Sequence, residues 1–134
     1  MKAFQPYLNF DGTTRDAMTF YHQCLGGTLD VQSFDDVGAK GPPGTGNRTI
    51  HAKLTAGSAV LMASDSQPGQ PLNVGNNVWV NIDCESIEEI ERIFPLMAEG
   101  GKILMPLADQ FWGARFGMLA DKFGINWMFN CEKK

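Results

Sequence analysis

The sequence predicts an α+β fold in which one βαβββ module is written twice. Three observations carry that expectation. Landmarks recur: Asn-x-Asp stands at 9–11 and at 81–83, and Gly-Gly at 26–27 and at 100–101. Between the landmarks, both halves show helical periodicity. After each Gly-Gly pair come three short strand-like runs separated by turn residues.

Taken in order, "LNF" (8–10) reads as the first strand, and Ala17, Phe20, Tyr21 and Cys24 recur at i, i+3, i+4 and i+7 as one face of a helix. Thr13 or Thr14 is placed to cap its start and Gly26 to end it in a left-handed turn. "TLDVQSF" (28–34), "TIHAKL" (49–54) and "AVLMAS" (59–64) follow as strands, the last two joined by a turn at "TAGS". The insertion "DDVGAKGPPGTGN" (35–47) is too rich in Gly and Pro for regular structure and reads as a lid or a plain loop. In the second half "VNID" (80–83) precedes a helix with Ile87, Ile90, Phe94 and Met97 on one face, Ser86 as cap and Gly100 as stop. Pro95 is expected to kink or divide that helix, because it lacks an amide hydrogen. "KILMPL" (102–107), "ARFGML" (114–119) and "INWMFN" (125–130) are the remaining strands, with a turn at "ADKFG".

A chain of 134 residues fits one domain built of two modules, about 1–70 and 71–134. Hydrophobic residues at 43% and charged residues at 19% suffice for a packed core. Eleven basic against fifteen acidic residues give a net charge of −4, and no basic run exceeds Lys133-Lys134, which argues against a nucleic-acid surface. Cys24, Cys84 and Cys131 are odd in number and form no C-x-x-C pair, as expected of reduced thiols in a cytoplasmic protein. The start of the chain lacks the apolar run of a signal peptide, and nothing approaches the roughly 20 apolar residues that cross a bilayer. Neither nucleic acid nor membrane is expected as a partner.

The stretches "PYLNFDGTTRDAMTFYHQCLGG", "IHAKL", "AVLMASD" and "WGARFGMLADKFGINWMFN" resemble the vicinal oxygen chelate superfamily, which includes glyoxalase I, bleomycin-resistance proteins and extradiol dioxygenases. The resemblance spans nearly the whole chain and is closest to the PhnB-like branch, whose members are often labelled 3-demethylubiquinone methyltransferase-like. The label conflicts with the residues. A usual adenosylmethionine site needs a Gly-rich turn leading from a strand into a helix, whereas both Gly-Gly pairs here follow helices.

The resemblance implies a curved mixed or antiparallel sheet around a central cavity, and a homodimer that helps to enclose a small organic ligand. Strand alternation then assigns faces. Leu8, Phe10, Ile50, Ala52, Leu54, Val80 and Ile82 are expected against the helices; Tyr7, Asn9, His51, Lys53, Trp79 and Asn81 are expected to line the cavity with Asn126, Met128 and Asn130. Trp79, Trp112 and Trp127 are candidates to stack a flat ligand or to fill core. Arg115 is a candidate anion clamp, or the partner of Asp109 or Asp121 in a surface ion pair. The substrate-binding candidates are therefore Tyr7, Asn9, His51, Lys53, Trp79, Asn81, Trp112, Arg115, Asn126 and Met128.

No cofactor is expected. Metal-dependent relatives carry ligands on the first, third and fourth strands of a module, and carried over by position these fall on Gln5 or Pro6, His51, and Leu61 or Met62. In the second module they fall on Asn77 or Val78, Phe116, and Trp127 or Met128. Only His51 has metal-ligand chemistry, and open metal sites normally keep about three protein ligands. His51 has three readings: a neutral histidine hydrogen-bonded in the sheet, a substrate contact or general base, or a metal ligand. His22 is expected to be exposed, Cys24 to be inert core, and "ESIEEIE" (85–91) to be the solvated side of the second helix. Whether the chain is an enzyme stays open. The favoured expectation is a metal-independent small-molecule binder; the alternatives are a metal-dependent lyase or dioxygenase drawing on residues such as Asp83 or Glu132, and a structural dimer.

Overall fold

The computed structural model describes residues 1–133, and the chain divides into two compact units, Met1–Asn73 and Val74–Lys134. Unit 1 contains β1 (Tyr7–Phe10), α1 (Thr14–Leu25), β2 (Thr28–Ser33), β3 (Thr49–Ala56) and β4 (Ala59–Asp65). Its sheet has the order β1-β4-β3-β2, parallel at β1/β4 and antiparallel elsewhere. Unit 2 repeats this with β5 (Val80–Asp83), α2 (Ile87–Ala98), β6 (Lys102–Asp109), β7 (Ala114–Ala120) and β8 (Asn126–Glu132), in the order β5-β8-β7-β6. The class is α+β, with two four-stranded mixed sheets, each carrying one helix.

Each helix buries its apolar stripe on its own sheet. In unit 1, Ala17, Met18, Phe20, Tyr21 and Cys24 are buried with Phe10, Ala52, Leu54, Leu61 and Ala63. In unit 2, Ile90, Ile93, Phe94 and Met97 are buried with Leu119, Trp127 and Phe129, and the rings of Phe94 and Phe129 meet edge to face at 5.2 Å. Such pairs add to the stabilisation from area burial alone.

The two helices begin differently from each other. Ser86 caps α2 as expected, its hydroxyl accepting from the Glu89 amide at 3.1 Å while the Glu89 carboxylate accepts from the Glu85 amide at 3.1 Å. The expectation for α1 is corrected. Thr13 occupies the cap position but its side chain makes no capping bond, and Thr14 is the buried first residue of the helix. The cap comes from the end of β4, where Asp65 Oδ1 accepts from the Gly12 amide (3.0 Å), the Thr14 amide (3.1 Å) and the Thr14 hydroxyl (2.7 Å).

Pro95 does not divide α2, which runs from Ile87 to Ala98 with the proline inside it. The amide it lacks would have donated to the Glu91 carbonyl one turn earlier. Both residues lie on the exposed side, where water can satisfy that oxygen.

Gly26 and Gly100 end the helices with φ of 78° and 74°. The glycine after each has a separate reason. A Cβ on Gly27 would collide with the Thr55 carbonyl oxygen, and one on Gly101 with the Ala120 carbonyl oxygen. The second glycine of each pair lets the outgoing strand pass against the backbone of the neighbouring hairpin.

The 35–47 segment holds turns but no helix or strand. Its base continues the β2/β3 ladder, with Phe34 N donating to Arg48 O and Asp35 N to Gly46 O. Among the described residues no helix is long and apolar enough to cross a membrane.

Candidate functional site

In unit 1 the face under α1 takes Phe10, Ala52, Leu54, Leu61, Ala63 and Asp65. Alternation puts Tyr7, Asn9, His51, Lys53, Met62 and Ser64 on the other face. Met62 lies between Tyr7 on β1 and Lys53 on β3, and Asn9 pairs with Ser64. Across β2, Gln32 faces His51 and Asp30 faces Lys53. The Tyr7 hydroxyl stands 3.3 Å from His51 Nδ1, with ring centroids 5.9 Å apart, and the Ser64 hydroxyl donates to Asn9 Oδ1 at 3.4 Å. A phenol is the stronger acid and an imidazole nitrogen the stronger base, so the favoured bond runs from the Tyr7 O–H to Nδ1. In that arrangement the ring N–H lies on Nε2.

In unit 2, Gly117, Leu119, Trp127, Phe129 and Cys131 lie towards α2, while Asn81, Asp83, Phe116, Met118, Asn126, Met128 and Asn130 share the opposite face. Trp112, from the turn between β6 and β7, reaches over this face. Its indole N–H points at Asn130 Oδ1 at 3.5 Å, and its ring meets Phe116 at 5.6 Å and Phe111 at 5.2 Å. The Asn130 amide in turn donates to Asp83 Oδ1 at 3.2 Å. A polar chain thus runs from Trp112 through Asn130 to Asp83 beside half-exposed aromatic surface.

Of the sequence candidates, the structure brings Tyr7, Asn9, His51 and Lys53 together on one face of unit 1, and Asn81, Trp112, Asn126 and Met128 on one face of unit 2. Two stand apart. Trp79 precedes β5 and its indole donates to the Asn76 carbonyl at 3.2 Å. Arg115 lies on the α2 side of its sheet, where its guanidinium binds Asp109 at 2.9 Å and Glu91 at 2.8 Å. Lys133 reaches the second oxygen of Asp109 at 2.7 Å. The hydrogen bonds from Arg115 and Lys133 hold the Asp109 carboxyl down at about 2, and Asp109 raises the Arg115 guanidinium in return.

Trp127 is 1% exposed, and its indole donates to Asp121 Oδ2 at 2.7 Å, while Asp121 Oδ1 accepts from the amides of Phe123 and Ile125. That makes Trp127 core rather than a stacking platform. His22 is half-buried instead of exposed, because its Nδ1–H turns back to donate to the Gly26 carbonyl at 3.3 Å. Cys24 and Cys131 are buried. Burial, then the nearby Glu89, pushes the Cys84 thiol up to about 12, so it carries no thiolate at neutral pH.

Sequence reasoning missed Ser64 on these faces, and named Met62 and Phe116 only as positions that carry ligands in metal-dependent relatives. It named Asp83 of the second Asn-x-Asp marker only as an alternative metal-site residue, not as a member of the unit 2 face. The two aspartates of that marker do different things: Asp11 pairs with Arg48 at 3.0 Å, whereas Asp83 ends the polar chain of unit 2. Alternation from Asn81 would have found Asp83.

The side chains do not fit a resident divalent metal. Among the described residues no three His, Cys, Asp or Glu side chains group so as to hold one. His51 has Tyr7 and Gln32 as neighbours rather than acids, and Met62, Phe116 and Met128 occupy face positions where ligands would have to stand.

Over residues 2–129 the chain matches the family described as 3-demethylubiquinone-9 3-methyltransferase. It is 41% identical to Pseudomonas aeruginosa protein PA1353, whose crystal structure it matches with a TM-score of 0.86 over 98% of this chain and 100% of that one. Protein YjdN of Escherichia coli K12 is 31% identical, with 96% of this chain and 95% of YjdN covered. A Bacillus cereus PhnB protein, named after the same methyltransferase, is 28% identical with a TM-score of 0.78, over 97% and 99% of the two chains. At the level of fold alone, a glyoxylase/bleomycin resistance protein/dioxygenase domain from Frankia matches with a TM-score of 0.72 at 11% identity, over 100% and 93%. With its paired βαβββ units and this match over nearly its full length, the chain belongs to the PhnB-like family, on the fold of the glyoxalase, bleomycin-resistance and dioxygenase proteins.

Proposed function

We propose that this protein is a cytoplasmic, homodimeric binder of small organic molecules that works without a resident metal. One observation carries the reading: on the face turned away from each helix, polar side chains are bonded to one another beside aromatic surface. Tyr7 with His51, and Trp112 with Asn130 and Asp83, are the groups concerned. Preorganised polar groups beside aromatic surface are what orient a small ligand. The donor set described above supports a metal-independent mode. Methyl transfer is not part of this reading, since in both units the Gly-Gly pair follows the helix and closes it.

The test is a thermal-shift screen of planar organic compounds, followed by NMR mapping of the hits on the full chain. Saturable shifts at Tyr7, His51, Trp112 or Asn130 are expected, and Trp112→Ala should weaken stacking ligands by about tenfold. Hits that map only to the helix faces would overturn the proposal. Light scattering at micromolar concentration should give a dimer, and a monomer would remove the homodimer from it.

A further inference from the structure

We propose that the face of unit 1 turned away from α1 selects a small organic acid, its carboxylate held between the Lys53 ammonium and the His51 Nε2–H. The inference rests on the reading above that this face takes a small ligand, and it adds the ligand's charge and chemical class.

Hydrogen-bond direction is the basis. The Tyr7 hydroxyl stands 3.3 Å from Nδ1; with that hydroxyl as the donor, Nε2 carries the ring N–H and is free to donate. On the same strand and face, two residues on, stands exposed Lys53, about 6.6 Å from His51 along the strand by the usual rise. Its flexible stem lets the ammonium reach a group already bonded to the imidazole. The Ser64 hydroxyl donates to Asn9 Oδ1, which leaves the Asn9 amide N–H groups as further donors. Tyr7, 46% exposed, supplies an aromatic wall for the body of the acid.

These groups offer donors, and one is a full cation. Charge-assisted hydrogen bonds to a carboxylate are stronger than neutral ones. The opposing charge on this face is Asp30, directly across the ladder from Lys53. It competes with the ligand for the ammonium and gives the proposal a sign that can be tested. Tyr7 acts as a positioning residue, setting which ring nitrogen carries the proton.

The experiment titrates the full-length protein with benzoate, benzamide and benzamidine, three probes of one shape and different charge, followed by NMR at Tyr7, His51 and Lys53. Benzoate is expected to shift these residues saturably, with Lys53→Met weakening it about tenfold and Asp30→Asn tightening it. The His51 ring ¹⁵N shifts should report the Nε2–H tautomer in the native protein and a mixture in Tyr7→Phe. Benzamide or benzamidine binding these residues as well as benzoate does would overturn the carboxylate class while leaving the ligand face standing. An Nδ1–H tautomer in the native protein would overturn the donor argument. Absence of shifts at all three residues with every probe would overturn the ligand face together with the proposal.

Discussion

Units 1 and 2 share one topology, yet they fasten helix to sheet with opposite chemistry. At the end of β4, opposite Phe10, stands Asp65; on β8, opposite Ile82, stands Phe129. Phe10 and Ile82 each follow the asparagine of the repeated Asn-x-Asp, so Asp65 and Phe129 stand opposite the same landmark of the two halves. Asp65 accepts three bonds at the start of α1 and a fourth, at 2.8 Å, from the Thr49 amide on β3. Phe129 packs its ring on Phe94 of α2. Which chemistry is used follows the helix's own start. Ser86 caps α2 locally and leaves the strand position open to an apolar residue, whereas Thr13 leaves the first amides of α1 for a carboxylate 51 residues away. Unit 2 has its own buried carboxylate, Asp121, which ties only the turn of its hairpin. A buried carboxyl group is tolerated in either place because hydrogen-bond donors surround it.

The sharpest way to break this contrast is to remove each fastening. Asp65→Ala strands four donors from two elements and should cost about 3–5 kcal/mol in urea unfolding, while Ser86→Ala should cost about 1 kcal/mol. Equal losses would mean that the long-range cap is no different from the local one. Next in size, Gly27→Ala and Gly101→Ala should each cost about 2–3 kcal/mol, because both positions meet a carbonyl oxygen. Gly26→Ala should cost less, since its Cβ meets nothing within 4 Å and only its φ of 78° opposes it. A Gly27 variant as stable as the native chain would remove the close-approach argument.

Smaller effects come from the titrating groups of unit 2. The Cys84 thiol is neutral in the folded protein up to about pH 12, whereas an ordinary thiol ionises near 9. Its contribution to stability is therefore fully present below about pH 9 and is lost as pH rises towards 12. Iodoacetamide should modify Cys84 at neutral pH only after unfolding, as read by mass spectrometry of pulse-labelled protein. Asp109, held at about 2 against an ordinary value of 3.8, contributes stability above about pH 4 that fades as pH falls towards 2. The gap between native and Asp109→Asn stability should close over that interval. Asp109 is exposed, so this is the smallest of the effects.

Much of the architecture was legible because its signals are local. Helical spacing at Ala17, Phe20, Tyr21 and Cys24, and the recurrence of Gly-Gly, depend on neighbours within a few turns. Strand alternation likewise separated Tyr7, Asn9, His51 and Lys53 from Phe10, Ala52 and Leu54. It did not place Arg115, since the face of β7 follows from its register with β8, which no local pattern states. Pro95 leaves α2 undivided for a related reason: the cost of a missing hydrogen bond depends on whether the abandoned carbonyl meets water, and that is decided by which side of α2 faces out.

The sequence by itself determined the doubled βαβββ order, the buried stripe of each helix and the alternation of each strand, because periodicity and turn chemistry act over short stretches of chain. Only the tertiary structure decided that Asp65 would start α1, that Arg115 would pair with Asp109 rather than Asp121 and also with Glu91, and that Trp112 would reach Asn130 and Asp83. Each of those bonds joins groups from separate elements, and their geometry exists only once strand register has brought the elements together.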